Sequence, residues 1–362
     1  MLSGNILPVH PIIKKDELFS SWLVRLAMGN SIKQQTFMKL ILPGFEIWNR
    51  DINRCPNIEL LKLLAQKTGQ RLDTIIQSTL QSYEGILFER FINGHTPWIM
   101  PVKVYHRTHL SYGLVYCPLC LQEDTIPYFR KHWRLSFSVI CEKHHIKLKD
   151  RCPQCEAVID FHRNDFKDRN YFTKASITEC HNCGFDLRKT IPEKEENDLL
   201  IQLMSFFHTV SRQGYIQIDG IPIYSLLIFH VFHQLFKLLT LDKYGIKLRS
   251  FVENEIKLPI DKNDYNNYKV CEILPIQTRR HALILSAWLF KEWPIRFVEA
   301  CQKTHLTKSR VTKDMKNIPY WFNKVLGVCA DNNFLTTVRT ERMVRKIATH
   351  LEYRRNSNCT IE

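Results

Sequence analysis

Four short pairs of metal-ligand residues stand in order along the middle of this chain: Cys117 with Cys120, Cys141 with His144, Cys152 with Cys155, and Cys180 with Cys183. Every pair encloses two residues, a spacing at which a tight turn can aim both side chains at one point. Eight such donors within 67 residues constrain the segment more than any other feature of the chain. Thiolate and imidazole donors in groups of four suit tetrahedral Zn²⁺, so the spacing predicts two structural zinc ions. Pro118 and Pro153 stiffen two of the turns, and Gly184 permits a positive φ after the last pair. Sequential pairing gives a Cys₃His site (Cys117, Cys120, Cys141, His144) and a Cys₄ site (Cys152, Cys155, Cys180, Cys183). It closes loops of 20 and 24 residues with few crossings and is the favoured arrangement. A cross-braced arrangement would instead join the first pair to the third. His145 is an alternative ligand to His144.

The rest of the composition sets the context for that module. At 362 residues the chain has room for roughly two or three domains. Hydrophobic residues make up 44%, enough for a sizeable core. The opening MLSGNILPVHPIIKKDELF lacks the charged and apolar regions of a secretory leader, so the expected location is cytoplasmic. In that reducing compartment, twelve cysteines read as metal ligands plus a few free thiols rather than as disulfides. The most apolar run, 221–239, is interrupted by His230, His233, Gln234 and Lys237, and reads as a buried helix rather than a membrane span. The formal net charge of +15 and pI near 9.3 point to an acidic partner, nucleic acid above all.

Periodicity makes the flanks mainly α. Residues 16–29 carry apolar side chains at a helical period, and Ser31 with Gln34 suggests a capping box into the next helix, which Pro43 and Gly44 end. Helices over about 58–67 and 72–81, broken at Thr68-Gly69-Gln70, outline a helix-turn-helix-like hairpin. Helical patterning resumes at 197–210, 222–243, 278–291 and 295–304, with a polar loop at 254–272. The simplest partition is an N-terminal helical domain (1–112), a double zinc-binding, zinc-ribbon-like module (113–191) and a helical C-terminal domain (192–362). In the last, 295–316 reads helix, break, helix. Thr307 is its cap, and Lys308, Arg310, Lys313 and Lys316 recur along the second helix, a candidate DNA-facing element. Arg339, Arg342, Arg345 and Lys346 form a second basic stripe. Within the zinc module, Lys143, Lys147, Lys149, Arg151, Arg163, Lys167 and Arg169 form a run that suits either a phosphate backbone or a solvated face.

Catalysis finds little support in the residues. A catalytic zinc keeps an open position, whereas both sites here can be filled by protein donors. No HExxH or deaminase-type HxE pattern accompanies the ligand pairs. The chain therefore reads as no enzyme. A zinc-containing DNA-binding transcription regulator is the alternative to the assignment below.

The segment ELFSSWLVRLAMGNSIKQQTFMKLILPG, the YCPLC pair, HWRLSFSVICEKHHIKLKDRCPQC and the closing CHNCG pair together resemble the TniQ family, transposon target-selection proteins that include the TnsD-type site selectors. The resemblance covers about the first 190 residues, and its ligand motifs fall on all eight positions named above. It implies a non-catalytic adaptor. Such a protein would read DNA directly or ride on a CRISPR RNA-guided effector complex. It would recruit an AAA+ ATPase regulator and act on the transposase only indirectly. Some members are homodimers.

Overall fold

The structure, a computed structural model, describes residues 6–92, 94–164, 176–218, 220–258 and 268–330. It is mainly helical, with N- and C-terminal helical regions and two small cysteine-rich clusters resembling zinc-ribbon-like modules. Among the described residues no helix is long and apolar enough to cross a membrane.

Helix α1 (Phe19–Gly29) buries every residue from Phe19 to Ala27. A helix enclosed on all sides must pair its polar groups internally. Arg25 does so through two bonds to the fully buried Glu17, at 2.8 and 2.7 Å, and a third to Ile12 O. Helix α2 (Gln34–Ile41) follows, but the capping box does not form. Lys33 is its N-cap and no side chain caps it. Ser31 instead sits at φ 54° in the turn that ends α1, its N–H donating to Met28 O. Helices α3 (Ile58–Thr68) and α4 (Leu72–Ser78) meet at Gly69, whose φ of 67° favours glycine. The hairpin β1 (Val104–Tyr105) and β2 (Thr108–His109) and the short α5 (Pro118–Glu123) lead into the cysteine-rich segment.

The C-terminal region begins with α6 (Asp198–Gln213), capped by the Asn197 side chain, which accepts from Leu200 N–H. An antiparallel hairpin, β3 (Tyr215–Ile218) and β4 (Ile221–Tyr224), comes next, then α7 (Ser225–Thr240) and α8 (Gly245–Ile256). The apolar run at 221–239 is thus split: Ile221–Tyr224 pairs as a strand, and the helix starts at Ser225. The polar loop read from residue 254 starts later than expected, because α8 continues to Ile256. Residues 259–267 lie outside the described residues. Gly245 permits the close approach of α8 to α7, since a Cβ there would lie 1.7 Å from Leu238 O.

Helix α9 (Ile276–Phe290) is the hub of this half. Its sequence has no polar stripe, and it is buried on every side from His281 to Leu289. Its polar groups are matched in turn. Arg279 donates to Leu274 O and Ser136 O, Arg280 grips Glu195 with two bonds, and His281 meets Glu253 at 2.8 Å. Helices α10 (Ile295–Thr304), α11 (Lys308–Val311) and α12 (Tyr320–Ala330) complete the region. The second helix read over 308–316 stops at Val311. Val311 O accepts from Gln234 Nε2 of α7, and Met315 N–H turns back to Thr312 O, so the helical ladder cannot continue. Thr307 is its N-cap, without a side-chain bond to the helix backbone.

Buried apolar side chains form one cluster from Leu7 to Leu326, passing through both helical regions and the cysteine-rich segment. Trp98 lies at its centre, wholly buried, with ring contacts to Phe137, Phe207, Phe229 and Phe236. Its backbone N–H donates to Glu272, which also meets His233 at 2.6 Å.

Candidate metal centres

The first two pairs converge. His144 Nδ1 lies 3.4 Å from Cys117 Sγ, 3.4 Å from Cys120 Sγ and 3.5 Å from Cys141 Sγ, and Cys120 and Cys141 are 3.6 Å apart. The last two pairs do the same, with Cys152–Cys183 and Cys155–Cys180 both at 3.6 Å. A tetrahedral ion with bonds of about 2.3 Å to sulfur and about 2.0 Å to nitrogen sets donors roughly 3.5–3.8 Å apart. A disulfide would need about 2.05 Å. Both groups are therefore candidate metal-binding clusters, each complete within the chain, and they follow the sequential pairing.

One local turn builds three of the four pairs. Cys141 N–H donates to Ile146 O, Cys152 N–H to Ala157 O and Cys180 N–H to Phe185 O. Four residues after each cysteine, the N–H of His145, Glu156 or Gly184 returns to that cysteine's carbonyl. That fourth residue has positive φ in all three turns: 51°, 57° and 77°. The turn brings only one of the two histidines to the cluster. His145 occupies the left-handed position and is exposed, while His144, one residue earlier, points its Nδ1 at the sulfurs. The first pair is built differently. Cys117 caps α5, its Sγ accepting from Cys120 N–H, and Pro118 stands where the helix needs no donor.

Donors this close cannot all ionise without a cation to compensate them. Cys141, bonded by Cys117 and Cys120, is held far below the ordinary thiol range, while Cys117, sharing protons with Cys120 and Cys141, is pushed far above it. In the second cluster burial pushes Cys180 up to about 12. Burial also raises Cys155, but bonds from Ala157 N–H and Asn182 outweigh it and bring the thiol down to about 7.

Glu123 is a residue that the pair spacing does not reveal. It sits on α5 one turn beyond Cys120, and its Oε1 lies 3.0 Å from His144 Nε2. A carboxylate on the far nitrogen of a metal-ligating histidine fixes the ring and raises its basicity. Glu123→Ala is expected to weaken metal binding at the first cluster by about tenfold, the low end for such partners because the carboxylate is half exposed. Competition with a chromophoric chelator reads this directly, and unchanged affinity would assign Glu123 to the surface alone.

The central basic run is largely matched by neighbours. Lys143 bonds Glu123, Lys147 and Lys149 both meet Glu193, Arg151 bonds Asp150, and Arg163 donates to Thr108. Lys167 and Arg169 lie outside the described residues. In the C-terminal region Lys308 donates to Asn323 at 2.7 Å, the Arg310 guanidinium lies 4.4 Å over the Tyr244 ring, and Lys313 is 3.6 Å from Asp242. Lys313 and Lys316 fall in the turn after α11, both exposed, so the four cations share a surface segment but not one helix. Arg339, Arg342, Arg345 and Lys346 lie outside the described residues. On the α3–α4 hairpin, Arg71, Thr74 and Gln77 are exposed, and Arg71 is 3.7 Å from Asp73.

Comparison with family models matches residues 8–148 to TniQ. No curated protein matches the chain. The matched stretch begins ahead of α1 and ends at Leu148, just past His144, so it contains the first cluster whole and stops short of the second. The family is one of non-catalytic proteins of transposon target selection.

Proposed function

We propose that this chain, TniQ/TnsD-like over residues 8–148, is a target-selection adaptor of transposition that joins DNA, or an RNA-guided CRISPR effector complex, to an AAA+ ATPase regulator. The transposase is reached through that ATPase, the adaptor itself performs no chemistry, and it works in the cytoplasm, in some assemblies as a homodimer. The observation that carries the reading is the family match over a stretch whose end coincides with a finished four-donor metal cluster.

In this reading both clusters hold structural Zn²⁺, through Cys117, Cys120, Cys141 and His144 and through Cys152, Cys155, Cys180 and Cys183. Four protein donors leave no coordination position for a reacting water, which suits a scaffold rather than a hydrolase. The module over 113–191 acts as a rigid joint between the helical units over 1–112 and 192–362. Its ties support that role: Arg134 pairs with Asp51 on one side, and Arg279 and Arg212 reach Ser136 and Glu142 on the other. Nucleic-acid contact is assigned to the basic segment Lys308, Arg310, Lys313 and Lys316, with Arg339, Arg342, Arg345 and Lys346.

Co-purification with a candidate AAA+ ATPase and a guide-RNA complex tests the adaptor role, and retention by neither overturns it. For the nucleic-acid face, Lys308→Glu with Arg310→Glu should weaken binding of DNA, or of the DNA-bearing assembly. The log–log salt slope should fall by about 1 for each phosphate that the variant no longer neutralises. An unchanged affinity and slope at physiological salt would remove α11 from the interface. Tight sequence-specific duplex binding with no affinity for an ATPase would favour the transcription regulator.

A further inference from the structure

We propose a third metal site, separate from the cysteine clusters, in which His109, Asp160 and His162 hold a divalent transition-metal cation such as Zn²⁺. The donors of these three residues lie within 4.8 Å of one another. His109 comes from β2, and Asp160 and His162 flank the start of the single turn Phe161–Arg163, so an ion here would fasten the β1–β2 hairpin to the cysteine-rich segment.

The site is closed to solvent. The Asp160 side chain is 0% exposed, His162 3% and His109 14%. Asp160 Oδ1 and His109 Nδ1 are both sealed from water, and His109 Nδ1 makes no hydrogen bond. A buried polar atom left this way costs a few kcal/mol unless something binds it. His162 Nδ1 lies 2.6 Å from that oxygen and His109 Nδ1 3.8 Å. The shorter contact holds Asp160 Oδ1 and His162 Nδ1 side by side. Two ligands of one ion stand beside each other in this way, with the metal on the nitrogen's lone-pair axis and the oxygen off it. A tetrahedral N/O site separates its donors by about 3.3 Å, a value the two contacts bracket.

The surroundings orient the donors. His162 Nε2 donates to Arg107 O at 3.0 Å, which turns Nδ1 toward Asp160. Trp48 stacks on the same ring at 4.4 Å and 8°, holding its plane. Asp160 Oδ2 is occupied by His109 N–H at 3.0 Å, which aims Oδ1 inward. Two imidazoles and one carboxylate are of the donor class zinc accepts. With three protein donors it has an open position, unlike the two closed clusters.

Metal counting on the full chain decides the matter. With excess Zn²⁺ followed by gel filtration, the wild type is expected to retain three ions, and Asp160→Asn and His109→Gln two each. Cobalt substitution provides the internal control. The intense thiolate-to-cobalt absorption of the cysteine clusters should persist in both variants, while the weaker visible bands of an N/O site disappear. A wild type that saturates at two ions overturns the proposal and makes Asp160–His162 a metal-free ion pair. So does a His109→Gln variant that still binds three. If Asp160→Asn fails to fold, wild-type stoichiometry and His109→Gln still decide.

Discussion

Stripping the metal from the first cluster is expected to unfold the whole protein, whereas emptying the second is expected to loosen its own loops. Cys117, Cys120 and Cys141 are buried within the continuous core, next to Tyr116, Leu121, Val139, Ile140, Ile146 and Leu148. The second cluster lies at the margin, with Cys155 half-buried and Cys183 exposed. Structural zinc contributes on the order of 10 kcal/mol of folding free energy per site. A domain's entire stability is about 5–15 kcal/mol. Cys141→Ser should therefore abolish the cooperative thermal transition, and a strong chelator should do the same to the wild type. Cys152→Ser should release one ion and expose the loops around Ile159 and Leu187 to protease, while α1 and α9 stay protected from amide exchange. Equal collapse in both variants would show that the second cluster is as deep in the fold as the first. An apo protein that melts at the holo temperature would remove structural metal from the account.

The two candidate clusters were legible because the turns that build them are local. Two residues between ligands fix a turn whatever surrounds it, and sequential convergence follows from short connecting loops. Choosing His144 over His145 needed the backbone: the left-handed position four residues past Cys141 has no single residue type, being His145, Glu156 and Gly184 in the three turns. Helices α3, α6 and α10 followed the apolar period, and Gly69 marked its own break. The capping box failed because tertiary packing of α1 claimed Ser31 for a turn. The run 308–316 failed because Gln234, about 77 residues upstream in sequence, takes the Val311 carbonyl. Asp160 and His162 gave no signal, because their partner His109 lies 51 residues away and only the fold brings them together. Trp98 was equally silent, a lone tryptophan after a proline in a stretch without periodicity.

Trp98→Ala is expected to cost about 3–5 kcal/mol, the most damaging single truncation in the apolar core. The indole is 0% exposed and touches Phe137 of the cysteine-rich segment, Phe207 of α6, and Phe229 and Phe236 of α7. Its Nε1 donates to Phe229 O at 3.1 Å. Removing it opens a cavity where three parts of the chain meet, so no single element can collapse to fill it. The backbone adds a second, separable effect. Trp98 has φ 68°, a conformation that bulky residues rarely adopt and that costs on the order of 1–3 kcal/mol. The ring packing and the Glu272 bond to Trp98 N–H hold it there. Alanine keeps the backbone cost without the ring packing, while glycine also lacks the packing but is freed of the cost. Trp98→Gly should accordingly be no less stable than Trp98→Ala, despite the glycine's greater freedom when unfolded. Trp98→Phe should forfeit little more than the Nε1 bond, about 1 kcal/mol, plus the difference in ring size. Urea denaturation of the three variants in saturating Zn²⁺ separates these effects, since the metal clusters then contribute equally to each. A Trp98→Ala protein within about 1 kcal/mol of wild type would mean that the N-terminal, central and C-terminal parts are joined by their polar ties rather than by this core.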